Sequence, residues 1–161
     1  MNWVVPNEAL VYRHRDLEKF AFESFPRTAS EMRQWVVTTS IALASMDQTP
    51  NDVLTRWFLV AVDPIGDLLQ FTTLLHGNSQ GLHMLDRHLG KLLTTKEHLA
   101  NTLVGSQFGT YAEWCIANST SARGRVLIAI LAARFRLDRQ RGRAVNILSL
   151  IHISEPTRHE S

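Results

Sequence analysis

An all-α fold, a multi-helix bundle, is what this 161-residue sequence predicts. Three observations lead there. Helix-start signals recur along the chain, apolar residues return at three- and four-residue intervals, and the two-residue alternation of a half-buried strand is nearly absent. The composition, 45% hydrophobic and 20% charged, is that of a folded chain rather than a disordered one. The length suffices for one domain, or two small ones, with a real core.

The elements follow in order. A first helix is expected over Glu8 to Ser24, with Leu10, Leu17, Phe20 and Phe25 turned inward, and Phe25-Pro26 ends it. Thr28-Ala-Ser-Glu31 has capping-box spacing and opens a second helix, with Met32, Trp35, Val36, Leu43 and Met46 on one face. Val36-Val-Thr-Thr-Ser-Ile41 is the most strand-like stretch, but it lies inside that stripe and after a cap. Thr49-Pro50-Asn-Asp52 predicts a third start, a cap residue before a proline at the first helical position. Val53, Trp57, Val60 and Ala61 form its apolar face, and Pro50 and Pro64 bracket Phe58-Leu-Val-Ala-Val62 within it.

Asp63-Pro64 repeats the start signal ahead of Ile65, Leu68, Leu69 and Thr72. Gly77 to Gly81 is the expected hinge between two helical halves, residues 8–76 and 82–147. The clearest stripe comes next: Leu82, Leu85, Leu89, Leu92 and Leu93. Thr94-Thr-Lys-Glu97 and Thr110-Tyr-Ala-Glu113 again have capping-box spacing, with breaks expected at Gly105 to Gly109 and Asn118 to Ser121. A last helix begins with Val126, Leu127, Ile130 and Leu131 facing inward, and arginines crowd its second half. Trp35, Trp57, Leu85, Leu89 and Trp114 each lie on the apolar stripe of their own helix and are expected to be buried.

Charge is unevenly placed. The chain carries a net +2, yet Arg123 to Arg143 holds seven arginines against the single acid Asp138. A basic end on a mildly acidic body points to an anionic partner, or to a well-solvated helix face. The expected nucleic-acid contacts are Arg134, Arg136, Arg139, Arg141 and Arg143. Arg125, beside Gly124 where the helix begins, either joins that stripe or pairs with an acid such as Asp86 or Glu113.

Candidates for chemistry are few. His83 and Asp86 are three apart and can share an ion, but His88 faces elsewhere and two ligands do not make a site. Cys115 is the only cysteine, so no disulfide framework exists, and its place after Trp114 on an apolar face reads as core. Residues 95–117 have a helix–glycine turn–helix pattern, but Tyr111 to Asn118 lacks the Arg, Lys or Gln that reaches base edges. No phosphate loop, dinucleotide fingerprint, zinc-protease motif or serine elbow is present. No enzyme activity, cofactor, metal or small-molecule substrate is therefore expected. Met1-Asn-Trp-Val-Val-Pro lacks the apolar core of a signal peptide, and no apolar run approaches the ~20 residues that span a bilayer. A cytoplasmic protein with no membrane partner is the expectation.

The end of the chain stands apart. Leu148-Ser-Leu-Ile-His-Ile-Ser-Glu-Pro-Thr-Arg158 resembles, residue for residue, one translated frame of a transposase-type DNA sequencing adapter. His159-Glu-Ser161 then corresponds to the sample index. Residues 148–161 are accordingly expected to be a non-native extended tail, with the native chain running to about Ile147.

Three blocks within 25–147 resemble the Gag-like capsid region of copia-type LTR retrotransposons. They are Phe25-Pro26 followed by Trp35; Leu85-Asp86-Arg-His-Leu89-Gly-Lys-Leu-Leu93; and Gly124-Arg125-Val-Leu-Ile-Ala-Ile-Leu131 with Phe135-Arg-Leu-Asp138. Residues Asn51 to Asp63 match that pattern only loosely, and the family's charged tail after the third block is not seen. The resemblance implies a self-associating helical shell protein that packages element RNA, with a zinc knuckle or enzymatic polyprotein downstream. Two other readings stay open: a helical nucleic-acid-binding regulator using its basic last helix, and the N-terminal fragment of a larger enzyme.

Overall fold

The computed structural model describes residues 14–22, 25–62, 79, 81–101 and 104–137. Among the described residues it is all helical, with seven helices: α1 His14–Glu18, α2 Ala29–Met46, α3 Val53–Val62, α4 His83–Leu93, α5 Lys96–Leu99, α6 Gly105–Ala117 and α7 Gly124–Leu137. The expected stripe from Ile65 to Thr72, most of the Gly77 to Gly81 hinge and the tail from 148 onward lie outside the described residues.

Helix α7 is the axis of the fold. It packs on α2, α3, α4 and α6, and it is buried without interruption from Gly124 to Ala133. Its apolar spacing predicts one inward face; the structure buries every face. No polar residue stands between Arg125 and Arg134. A helix apolar all round is stable in water only when neighbours surround it. Residues from both expected halves join one hydrophobic cluster, in which Leu43, Leu54, Trp57 and Phe58 lie with Leu85, Leu89, Phe108 and Leu127. Trp35, Trp57, Leu85, Leu89 and Trp114 are all buried, as their stripe positions predict.

The start signals act, though not always where the pattern puts them. At α2 the Thr28 hydroxyl accepts from the Glu31 N–H at 3.1 Å, as a capping box requires. The Glu31 carboxylate accepts from the Arg27 N–H at 2.9 Å, one residue before the cap. At α5 the cap is Thr95, whose hydroxyl accepts from His98 N–H at 3.3 Å, while Thr94 donates back to the Gly90 carbonyl at 2.8 Å. Thr110 is no cap at all: it lies inside α6 and donates to the Ser106 carbonyl at 3.0 Å, because the helix already starts at Gly105. The expected break at Gly105 to Gly109 is thus the first turn of α6. Gly105 serves a close approach instead, since a Cβ there would strike the Leu99 carbonyl.

At α3 the cap is Asp47 rather than Thr49. Its Oδ1 accepts from Thr49 N–H and hydroxyl, each at 2.8 Å, and its Oδ2 accepts from Leu54 N–H at 3.0 Å. Asp52, just before the helix, takes a left-handed φ of 54°, and Thr49 is held by Asp47 Oδ1 rather than by the first turn of α3. The first helix also ends earlier than expected, at Glu18 rather than Ser24, with Leu17 and Phe20 buried around that end. Phe22 then stacks on Trp35 at 5.2 Å between ring centroids, and Phe25 reaches His98 and Phe108 at 4.6 and 6.1 Å. The chain before α2 is therefore held by aromatic packing rather than by helix continuation.

Candidate functional site

Where α4 crosses α7, the core contains charge. Asp86 and Arg125 are 1% and 5% exposed, buried polar residues in an otherwise apolar cluster. Their arrangement follows from backbone approach. A Cβ on Gly90 would strike the Ala122 carbonyl, and one on Gly124 would strike Leu89 Cβ, so glycine at both positions lets the two helices nearly touch. That proximity lets the Asp86 side chain, from α4, reach the mouth of α7. Its Oδ1 accepts the Arg125 backbone N–H at 2.9 Å, capping α7 from another helix. Its Oδ2 accepts the Ser79 hydroxyl at 2.6 Å.

Arg125 completes the node. Its guanidinium lies over the Trp57 ring at 4.9 Å, and its Nη1 donates to the Trp57 carbonyl at 3.4 Å. Trp57 Nε1 donates to the Ser79 carbonyl at 3.2 Å. Burial pulls the Arg125 pKa below its usual value, and the negative charge of Asp86 opposes that pull. The node joins α3, α4, α7 and the approach to α4, and its polar atoms point at one another except Arg125 Nε, which is buried without a hydrogen-bond partner. Its chemistry is cohesive rather than reactive.

The other sequence candidates fall as follows. His83 is exposed while Asp86 is buried and engaged, so the two do not offer a shared metal face. Among the described residues no three His, Cys, Asp or Glu side chains gather to hold a metal. Cys115 is buried beside Tyr111, and burial raises its thiol pKa, opposite to what a nucleophile needs. Tyr111, Trp114 and Cys115 turn into the core, and the outward side of that helix presents Glu113, Ile116, Ala117 and Asn118, none of them a cation. Arg134 is half-buried at the end of α7, and Arg136 belongs to that helix by its backbone. The Arg136 side chain and all of Arg139, Arg141 and Arg143 lie outside the described residues. Arg125 leaves the exposed stripe: it is buried, its guanidinium engages Trp57, and it meets Asp86 through its backbone amide, while Glu113 is exposed.

Two surfaces are visible only in the fold. Val37 and Ile41, one helical turn apart on α2, are 56% and 64% exposed. Beside them a groove of about 440 Å³ runs between α2, the end of α3 and α7, lined chiefly by Met32, Val36, Val62, Ala132 and Phe135. From Gln34 to Met46 the helix has no charged residue, which is the one signal of this surface in the sequence. The second surface is the outer side of α4, where His83, Arg87 and Lys91 are all exposed. Among the described residues, no helix is long and apolar enough to cross a membrane. No protein-family model, curated protein or solved structure matches this chain.

Proposed function

We propose that this chain is a structural protein of the Gag-like, copia-type kind: a helical shell subunit that self-associates and accompanies RNA, and that performs no bond-making chemistry. The observation that carries the reading is the outer face of α2. A solvent-exposed helix ordinarily places charge outward, yet Val37 and Ile41 are open to solvent in a stretch without charge from Gln34 to Met46. A two-fold contact brings each residue near its own copy, so the uncharged patch at Val37 and Ile41 meets itself without repulsion, with Arg33 one turn away as the single charge lining the adjoining groove. Contiguous exposed apolar surface of this sort marks interaction sites.

The three blocks that resemble the family also support the reading, because their residues do structural work. Trp35, Leu85, Leu89 and Leu127 are core, and Asp86, Gly90, Gly124 and Arg125 build the α4–α7 crossing. A standard interface buries about 800 Å² per partner, more than two side chains supply, so the neighbouring groove must take part. Association in the micromolar range, about −8 kcal/mol, is expected.

Sedimentation equilibrium of the full chain from about 1 to 200 µM tests this, a range that brackets the expected affinity, with Ile41→Glu as the variant and Ile116→Glu as control. Ile116 is 79% exposed but sits on α6. Self-association lost in I41E and kept in I116E, with unchanged circular dichroism, is the expected result. A chain that stays monomeric throughout and binds RNA tightly would instead make it a nucleic-acid-binding regulator.

A further inference from the structure

The exposed side of α4 carries two cations, Arg87 and Lys91, and no acid. His83, Arg87 and Lys91 recur at four-residue intervals and are exposed, and the only acid of the helix, Asp86, is buried against α7. Four residues advance an α-helix by about 6 Å, so the three side chains form a line about 12 Å long. Like charges at this spacing destabilise a helix. A merely solvated face usually interleaves acids with bases; this one does not. Among the described residues, no carboxylate pairs with Arg87 or Lys91.

We propose that this stripe is a docking surface for the phosphate backbone of single-stranded RNA, an inference that rests on the RNA-associated part of the function proposed above. Arg87 and Lys91, about 6 Å apart along the helix, suit the step from phosphate to phosphate along an extended strand, and His83 extends the line with a hydrogen-bonding ring. Apart from the His83 ring at one end, the stripe has no aromatic, Asn or Gln side chain to stack on or read a base, so recognition is chiefly electrostatic and independent of sequence. An anionic membrane fits less well. A helix lying in a bilayer interface buries a broad apolar face, whereas Leu85, Leu89 and Leu93 of α4 are fully committed to the core and Met84 is the one large apolar side chain left outside. The surface thus places RNA on the folded body, on a helix other than the arginine-rich one.

The test is fluorescence anisotropy of the full chain with a labelled oligouridylate of about 20 nucleotides, across a salt series from about 50 to 300 mM KCl. The charge-reversed R87E/K91E chain is compared with K19E/R56E, which changes net charge equally at exposed cations elsewhere. At about 100 mM salt, R87E/K91E is expected to weaken binding by about tenfold or more. It should flatten the plot of log affinity against log salt by about 1.4, roughly 0.7 for each phosphate no longer neutralised. K19E/R56E should leave that slope unchanged. The neutral R87Q/K91Q chain, checked by its melting curve, separates weakened phosphate binding from impaired folding and should show the same slope change. Equal effects of R87E/K91E and K19E/R56E on a wild-type chain that binds RNA would overturn the stripe alone. A wild-type chain that does not bind RNA, or binds only anionic phosphatidylserine vesicles, would overturn the stripe together with the RNA-associated reading.

Discussion

Gly90→Ala sets two effects of comparable size against each other at the α4–α7 crossing. In a helix interior alanine is favoured over glycine by about 0.8–1 kcal/mol. Against that, the new Cβ would collide with the Ala122 carbonyl oxygen and lie 3.1 Å from its carbon and 3.4 Å from Gly124 N. These are backbone atoms and cannot rotate aside. Restoring van der Waals separation requires residues 122–124 to retreat on the order of 1 Å. That movement stretches the 2.9 Å bond from Arg125 N–H to Asp86. Overpacking costs about 1–3 kcal/mol, and loss of a hydrogen bond to a charged acceptor about 1.5–3 kcal/mol. Net of propensity, the variant should be less stable by about 2–4 kcal/mol, a fall in Tm of about 10 °C. Gly109 is the internal control: it lies inside α6 with nothing within 4 Å of a built Cβ. There the same substitution should stabilise by about 0.5–1 kcal/mol. Urea unfolding followed by tryptophan fluorescence reads both. A Gly90→Ala chain as stable as wild type would refute the close-approach argument.

Two further outcomes concern the buried polar groups. Asp86→Ala leaves the Ser79 hydroxyl and the Arg125 amide buried without their acceptor and removes a negative charge that favours the buried Arg125 cation, so a loss of about 2–4 kcal/mol is expected in urea unfolding; a loss under about 1 kcal/mol would show the node to be incidental. Burial pushes the Tyr111 phenol far above its ordinary value of 10.0 and raises the Cys115 thiol above 9.0. The folded state therefore holds protons that the unfolded state releases. Stability should be complete below about pH 9 and decline as pH rises beyond the unfolded values near 9 and 10, with unfolding. Absorbance of the phenolate in the near ultraviolet checks this against a Tyr111→Phe chain: Tyr111 phenolate emerging while the fold persists would contradict it.

The helical class and its main buried residues were legible in the sequence, because periodicity records which side of a helix avoids water. Leu85, Leu89 and Leu93 announce their face by spacing alone, and Trp35 and Trp57 fall on stripes of the same kind. Cap positions were legible only to within a residue or a turn. Thr94 and Thr95 are chemically alike, so the backbone path chose between them, and Asp47 takes the place of Thr49 where the chain turns left-handed at Asp52. What sequence could not express was which surfaces meet. Gly90 and Gly124 are far apart in the chain, and their shared purpose emerges only when α4 lies against α7. Arg125 was open in the sequence, a stripe member or the partner of an acid, until packing placed its guanidinium over Trp57 and its amide on Asp86. Local patterns determine helices because their hydrogen bonds and stripes are set within a few residues. Burial of a charge, and exposure of an apolar or cationic face, depends on partners distant in the chain, and so belongs to the tertiary structure.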